Sequence, residues 1–194
     1  MADKLYYNGA DIISDVTLTS ATLDLYVGSK QADTLELSFG EDDDWSIWKP
    51  QIDDSIRYIR DGCDSGTMYL YDMIITGSTT TLYARSIPTT MRIERTKAWE
   101  RVYLTQIGLE VATRSGMSFE LIGLDDQYYG YALQKRETDV AFLARLALLE
   151  GAALIVYDGR IILAGEASLE EAAPTVNIEM TGTDIEHYDR SAES

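Results

Sequence analysis

One cysteine and one histidine in 194 residues leave little material for catalysis or metal binding. Cys63 has no partner for an internal disulfide, and one thiol with one imidazole cannot build a zinc site. Cys63 lies in a turn-rich stretch, DGCDSG, with no neighbour that would hold it as an activated thiolate. His187 has no serine or cysteine partner in any recognised motif. Long apolar runs are also missing: residues 142–149 and 152–157 are the longest strongly apolar stretches, too short to span a bilayer. The opening MADKLYYNGADII lacks the apolar centre of a signal peptide, so synthesis and residence in a cytoplasm are expected. Positive charge is scarce. Sixteen Lys and Arg stand against thirty-three Asp and Glu, a formal net charge of −17. That balance argues against binding to a phosphate backbone, which depends on basic residues displacing counterions. No glycine-rich phosphate loop leads from a strand into a helix, so a nucleotide enzyme lacks its motif.

Carboxylates are abundant, and their abundance makes pairs such as Asp43/Asp44, Asp53/Asp54 and Asp125/Asp126 uninformative. Neighbours on a strand point to opposite faces, a poor geometry for a shared acid/base site. Glu41, Asp42, Asp43 and Asp44 could attract calcium, but the run lacks the alternating oxygen ligands and central glycine of an EF-hand loop. A solvated acidic turn is the plainer reading. No catalytic, metal-ligating or cofactor-binding residue is assigned, no cofactor is called for, and the chain reads as a non-enzyme. The acid surplus itself has two readings: an ordinary soluble surface, or one that repels an anionic polymer passing nearby.

What is present is a core. The hydrophobic fraction is 45%, sufficient for a real core, and 194 residues are enough for one large domain or two small ones. Residues 1–90 read as antiparallel β-structure. Thr34–Phe39 alternates, with Leu35, Leu37 and Phe39 on one face. Residues 16–18 and 23–27 alternate too, with a change of phase at 19–21 that suggests a bulge or bend. Strands follow at 55–60, 67–75 and 79–85, broken by glycine and aspartate turns, a spacing that suggests a small barrel or sandwich. Pro88 should end the last of these.

Residues 85–101 are the most basic stretch, with Arg85, Arg92, Arg95, Lys97 and Arg101. The domain boundary is expected here. The run is either a solvated linker or a dock for an acidic surface, and Arg92, Arg95 and Arg101 are the candidate subunit-interface residues. Thr96 should cap a helix over 97–114, since Trp99, Tyr103, Leu104, Ile107 and Val111 give a helical stripe. A strand at 117–122 and a polar, aromatic loop, DDQYYGY, come next. Thr138 and Asp139 then open a helix running to Leu149, apolar on more than one side and interrupted only by Arg145. Residues 153–157 and 160–164 form a hairpin on Asp158-Gly159, a dipeptide that tolerates a type I′ turn. An acidic connector over 166–174 leads to a last alternating strand with Val176, Ile178 and Met180.

With these elements in order, the chain resembles the phage late control protein D family, the baseplate hub of contractile tails. The same fold begins the spike protein of type VI secretion systems. ADTLELSF at 32–39 and GTMYLYDMIITGSTTTLYARS at 66–86 resemble the family's first barrel. RTKAWERVYLTQIGLEVATRSGM at 95–117 resembles the helix that follows it. QKRETDVAFLARLALLEGAALIVYDGRIIL at 134–163 matches best: a glutamine, a capped Asp-x-x-Phe-Leu helix, a glycine and a hairpin. Family members are about twice as long, since a second barrel follows. The chain is therefore expected to be a fragment, or a split or minimal hub.

The resemblance implies an α+β fold: a small antiparallel, tail-tube-like β-barrel over 1–90, followed by an α+β helix–hairpin domain over 91–180. Residues 181–194 would begin a second barrel or a tail. It implies a ring, trimeric or pseudo-hexameric, that joins the tail tube to the spike of a phage tail or contractile injection particle. The partners would be tail tube protein, spike protein and copies of the chain itself or a second hub chain. No specific nucleic-acid contact or membrane anchor is implied, although DNA would pass through an acidic lumen. Localisation would be the tail or baseplate, assembled in a bacterial cytoplasm. The alternative function is a carbohydrate- or partner-binding module using Tyr6, Tyr7, Tyr69, Tyr71, Tyr128, Tyr129 and Tyr131.

Overall fold

The structure, a computed structural model, describes residues 3–26, 32–40, 45 and 49–171. It is α+β. The chain opens with β1 (Lys4–Tyr7), β2 (Ala10–Asp11), β3 (Leu18–Asp24) and β4 (Thr34–Phe39). It continues with β5 (Ser55–Arg60), β6 (Cys63–Asp64), β7 (Met68–Thr76) and β8 (Thr79–Arg85). These strands make one antiparallel sheet in the order β2-β1-β5-β7-β8-β4-β3, with β6 on β5. Alternation sets its two faces: Leu35, Leu37 and Phe39 are buried, while Glu36 points to solvent. The phase change at 19–21 is a register shift in the pairing of β3 with β4, between Leu18 and Ser20. Leu5, Phe39, Trp45, Ile56, Met68 and Leu82 meet in one core. The sheet curls around this core, yet β2 and β3 do not pair among the described residues, so it is open. A groove separates Asp3, Tyr58 and Arg60 from residues 16–21 of the far edge.

A second core lies in residues 87–163. A 3-10 turn (Thr89–Arg92) leads to β9 (Arg95–Tyr103), α1 (Leu104–Ser115), β10 (Ser118–Ile122) and β11 (Tyr128–Glu137). Then come α2 (Asp139–Leu149), β12 (Ala152–Tyr157), β13 (Arg160–Gly165) and the short α3 (Glu166–Glu171). β9 and β11 pair as an antiparallel ribbon; β10 runs parallel to β13, which pairs with β12.

The helix expected over 97–114 is therefore corrected to a strand followed by a shorter helix. Trp99 packs inward from β9, opposite Ala132, and Val102, three residues on, also packs against the core. A flat strand cannot place positions three apart on one face. Arg101 lies between them with φ 53°, a left-handed conformation that turns the ribbon's other face inward. The helix cap is corrected as well. Leu104 N–H donates to the Gln127 carbonyl and Thr105 N–H to the Asp126 carboxylate, both at 2.8 Å, and Gln106 Oε1 accepts from Tyr103 N–H. Thr96 instead accepts from Arg136 N–H across the ribbon. The DDQYYGY stretch accordingly divides: Asp126 and Gln127 bind the start of α1, and β11 begins at Tyr128. Part of the acidic connector is helix, α3. The acidic run at 41–44, His187, the strand expected around 176–180 and residues 181–194 lie outside the described residues.

Helix α2 sits in the middle of this core. Thr138 caps it by accepting from Ala141 N–H, and Val140, Phe142, Leu143, Leu146 and Ala147 are buried. Phe142 stacks on Trp99 with ring planes 14° apart. Gly108 lets α1 approach β10: a Cβ there would stand 2.3 Å from the Phe119 ring. The turn Asp158-Gly159 has positive φ at both residues, as a type I′ hairpin requires.

Candidate assembly surface

Two polar constellations hold this framework together. The first surrounds Asp139, which is fully buried although it is the first residue of α2. Arg114, from the end of α1, donates to it through Nε and Nη2 at 3.1 and 2.9 Å. Gln134 Nε2 donates to the same carboxylate at 2.9 Å, and Arg95 Nε stands 3.5 Å away. The carboxylate thereby joins α1, α2 and both ribbon strands. A buried carboxylate without such partners would be costly.

The second constellation joins the two cores. Asp158, in the β12–β13 turn, accepts from Thr67 N–H and Oγ1 at 3.1 and 2.8 Å. Arg57 forks onto Asp64 at 2.9 and 2.5 Å and reaches Asp158 at 3.7 Å. The Arg57 hydrogen bonds hold the Asp64 carboxyl below the usual carboxylate range and push the guanidinium up. Tyr157 Oη donates to the Asp64 carbonyl. Gly66 makes the approach possible, because a Cβ would meet the Tyr157 ring at 2.9 Å and Asp158 N at 3.0 Å.

The three sequence-predicted interface arginines are not equivalent. Arg95 is engaged within the chain by Asp139. Arg92 and Arg101 are exposed and make no ion pair among the described residues. Lys97 is also used internally: it pairs with Glu110 and lies 3.8 Å from the Trp99 ring centre. Two cations that the sequence reading passed over, Lys135 and Arg136, join the exposed set on β11. Their signal was the KR pair of QKRET.

Apolar surface lies among these cations. Tyr131 faces solvent beside Glu100, Leu133 pairs with Ala98, and Lys135 pairs with Thr96 on the same outer face. Tyr103 and Tyr128 are both exposed and meet edge-to-face at 5.4 Å. The seven tyrosines named from the sequence do not form one surface. Tyr7 bonds to Asp54, Tyr129 donates to Glu150 at 2.7 Å, and Tyr71 lies under Arg85. Burial, then the Glu150 hydrogen bond, raises the Tyr129 hydroxyl well above the usual phenol range. Among the described residues no His, Cys, Asp and Glu cluster is suited to a metal ion, and no helix is long and apolar enough to cross a membrane.

The whole arrangement of curled sheet, ribbon, helices and hairpin is the fold of phage and prophage tail proteins. The 43 kDa tail protein of prophage MuSo2 from Shewanella oneidensis shares it at TM-score 0.59 and 17% identity, over 83% of this chain and 54% of that one. The tail protein from Neisseria meningitidis MC58 shares it at TM-score 0.64 and 14% identity, over 84% and 49%. So does the E. coli c3393 protein, a type VI secretion component with structural similarity to T4 bacteriophage tail proteins gp27 and gp5, at TM-score 0.61 and 12% identity, over 84% and 49%. The chain spans about half the length of each. No protein-family model and no curated protein sequence matches it.

Proposed function

We propose that the chain is a structural component of a phage tail or a tail-like contractile injection particle, and that it works in the baseplate hub. In this reading residues 1–90 form a tube-like unit whose open seam is closed by barrel formation or by a neighbour, and residues 91–180 form a separate α+β unit outside it. Copies of the chain, alone or with a second hub chain, make a ring between tail tube and spike. The acidic charge would keep DNA from adhering to the lumen. The role needs no catalysis and no cofactor. The observation that carries the proposal is the likeness of fold to tail proteins and a type VI secretion component over 83–84% of the chain. Co-expression with the tube and spike proteins of the same particle tests it: the chain should co-purify with at least one of them. A chain that binds neither, while those two assemble, would overturn the proposal.

The exposed Tyr103–Tyr128 pair favours a second reading, a carbohydrate- or partner-binding module. Glycan binding by a monomeric chain, lost in Tyr128→Ala, would select it.

A further inference from the structure

Part of the chain's exposed positive charge is gathered on one element. Six of the described cations form ion pairs: Arg57, Arg60, Arg95, Lys97, Arg114 and Arg145. Of the described cations without one, Arg101, Lys135 and Arg136 belong to the β9–β11 ribbon and Arg92 lies just before it, while Lys4, Lys49, Arg85 and Arg160 lie elsewhere. Against these four cations stand two exposed acids without an ion pair among the described residues, Glu94 and Glu100, so a local positive surplus remains in a protein of net charge −17. Solvent-exposed Tyr131 and Ala98 and half-buried Leu133 lie along the same ribbon. Arginine and tyrosine together are the composition of protein–protein contact surfaces.

The complement is on the outer face of the large sheet. Glu36, Tyr83 and Asp72 form one cross-strand row over β4, β8 and β7. Both carboxylates are exposed, and neither has an ion-pair partner among the described residues. Arg85, the cation on that face, is stacked 3.8 Å over Tyr71. The row therefore offers two free acids around an aromatic ring, and the ribbon offers free cations around aromatic and aliphatic surface.

We infer that the β9–β11 ribbon of one copy docks on the Glu36–Tyr83–Asp72 row of a second copy of this chain. The inference rests on the reading of the chain as a self-assembling tail component. The contact is heterologous, so each copy keeps one ribbon and one acidic row free to continue a ring or a filament. It is also small. A two-stranded ribbon nine residues long presents roughly 30 by 10 Å, well under the ~800 Å² per partner of a stable pair. A single contact is thus weak in solution and gains strength through repetition in a closed assembly.

Charge exchange tests it by sedimentation at increasing protein concentration. The wild type should self-associate weakly. Arg101→Glu/Lys135→Glu/Arg136→Glu should lose that association by about tenfold or more, and so should Glu36→Lys/Asp72→Lys. An equimolar mixture of the two variants should regain it, because every ribbon then faces a row of opposite charge. Thermal melts of each variant confirm that it is folded. A strictly monomeric wild type, variants that associate like the wild type, or a mixture that stays dissociated would each overturn the inference. None of these results bears on co-purification with tube or spike proteins, so this contact and the tail role fail separately.

Discussion

At the scale of single residues, Asp139 organises the second core. The sequence shows it as an acid in the first turn of a helix, where the dipole alone would favour it. The structure gives it four contacts from three other side chains and no exposure. Asp139→Ala would leave Arg114 and Gln134 without their acceptor, at a cost of about 3 kcal/mol. Calorimetry should show a melting temperature lower by roughly 10 °C. In an Arg114→Met background the same substitution should cost clearly less, since the pair acts as a unit. Equal losses in both backgrounds would mean that the ion pair is incidental. Phe142 is the apolar counterpart. It is buried against Trp99, so Phe142→Asp should unfold the second core or cost several kcal/mol. A soluble Phe142→Asp protein with an unchanged melting temperature would contradict that.

At the scale of elements, strands with one buried face were readable in the sequence. Thr34–Phe39 and Thr79–Arg85 occupy the residues that their alternation indicated. The hairpin over 152–165 was readable because its turn demands residues that tolerate positive φ. The ribbon was not. Trp99, Tyr103, Ile107 and Val111 recur every four residues and imitate one helical stripe, but the stripe combines a twisted strand with a helix. The signal that would separate them is a left-handed Arg101, and nothing in an arginine announces one. The charge network around Asp139 was equally hidden, because Gln134, Arg95 and Arg114 come from three separate elements.

The joint between the cores permits a prediction at this scale. Arg57 holds Asp64 below its usual titration range. A depressed carboxylate contributes stability that is complete above the unfolded value, about 3.9, and is lost as pH falls through the lower folded value. The stability difference between the wild type and Asp64→Asn should therefore be constant near neutrality and shrink below about pH 4. A difference independent of pH down to about pH 2 would show that the ion pair contributes nothing. Gly66→Ala tests the same joint sterically. It must adopt a positive φ and displace Tyr157 or Asp158, so a loss of about 1–3 kcal/mol is expected. An unchanged melt would mean that the cores separate without penalty.

At the scale of the whole molecule, two apolar cores meet through a polar joint, and the β9–β11 ribbon carries a local surplus of unpaired cations. That distribution suits a part that must hold its shape while binding neighbours on several sides. The proposed role is a position in a particle, and an image of the particle tests it. Intact tails can be purified from the producing strain with a small tag on this chain and imaged by cryo-electron microscopy with tag-directed labelling. Label confined to the junction of tail tube and spike is the expected result. Intact, unlabelled tails from cells that make the tagged chain would contradict it.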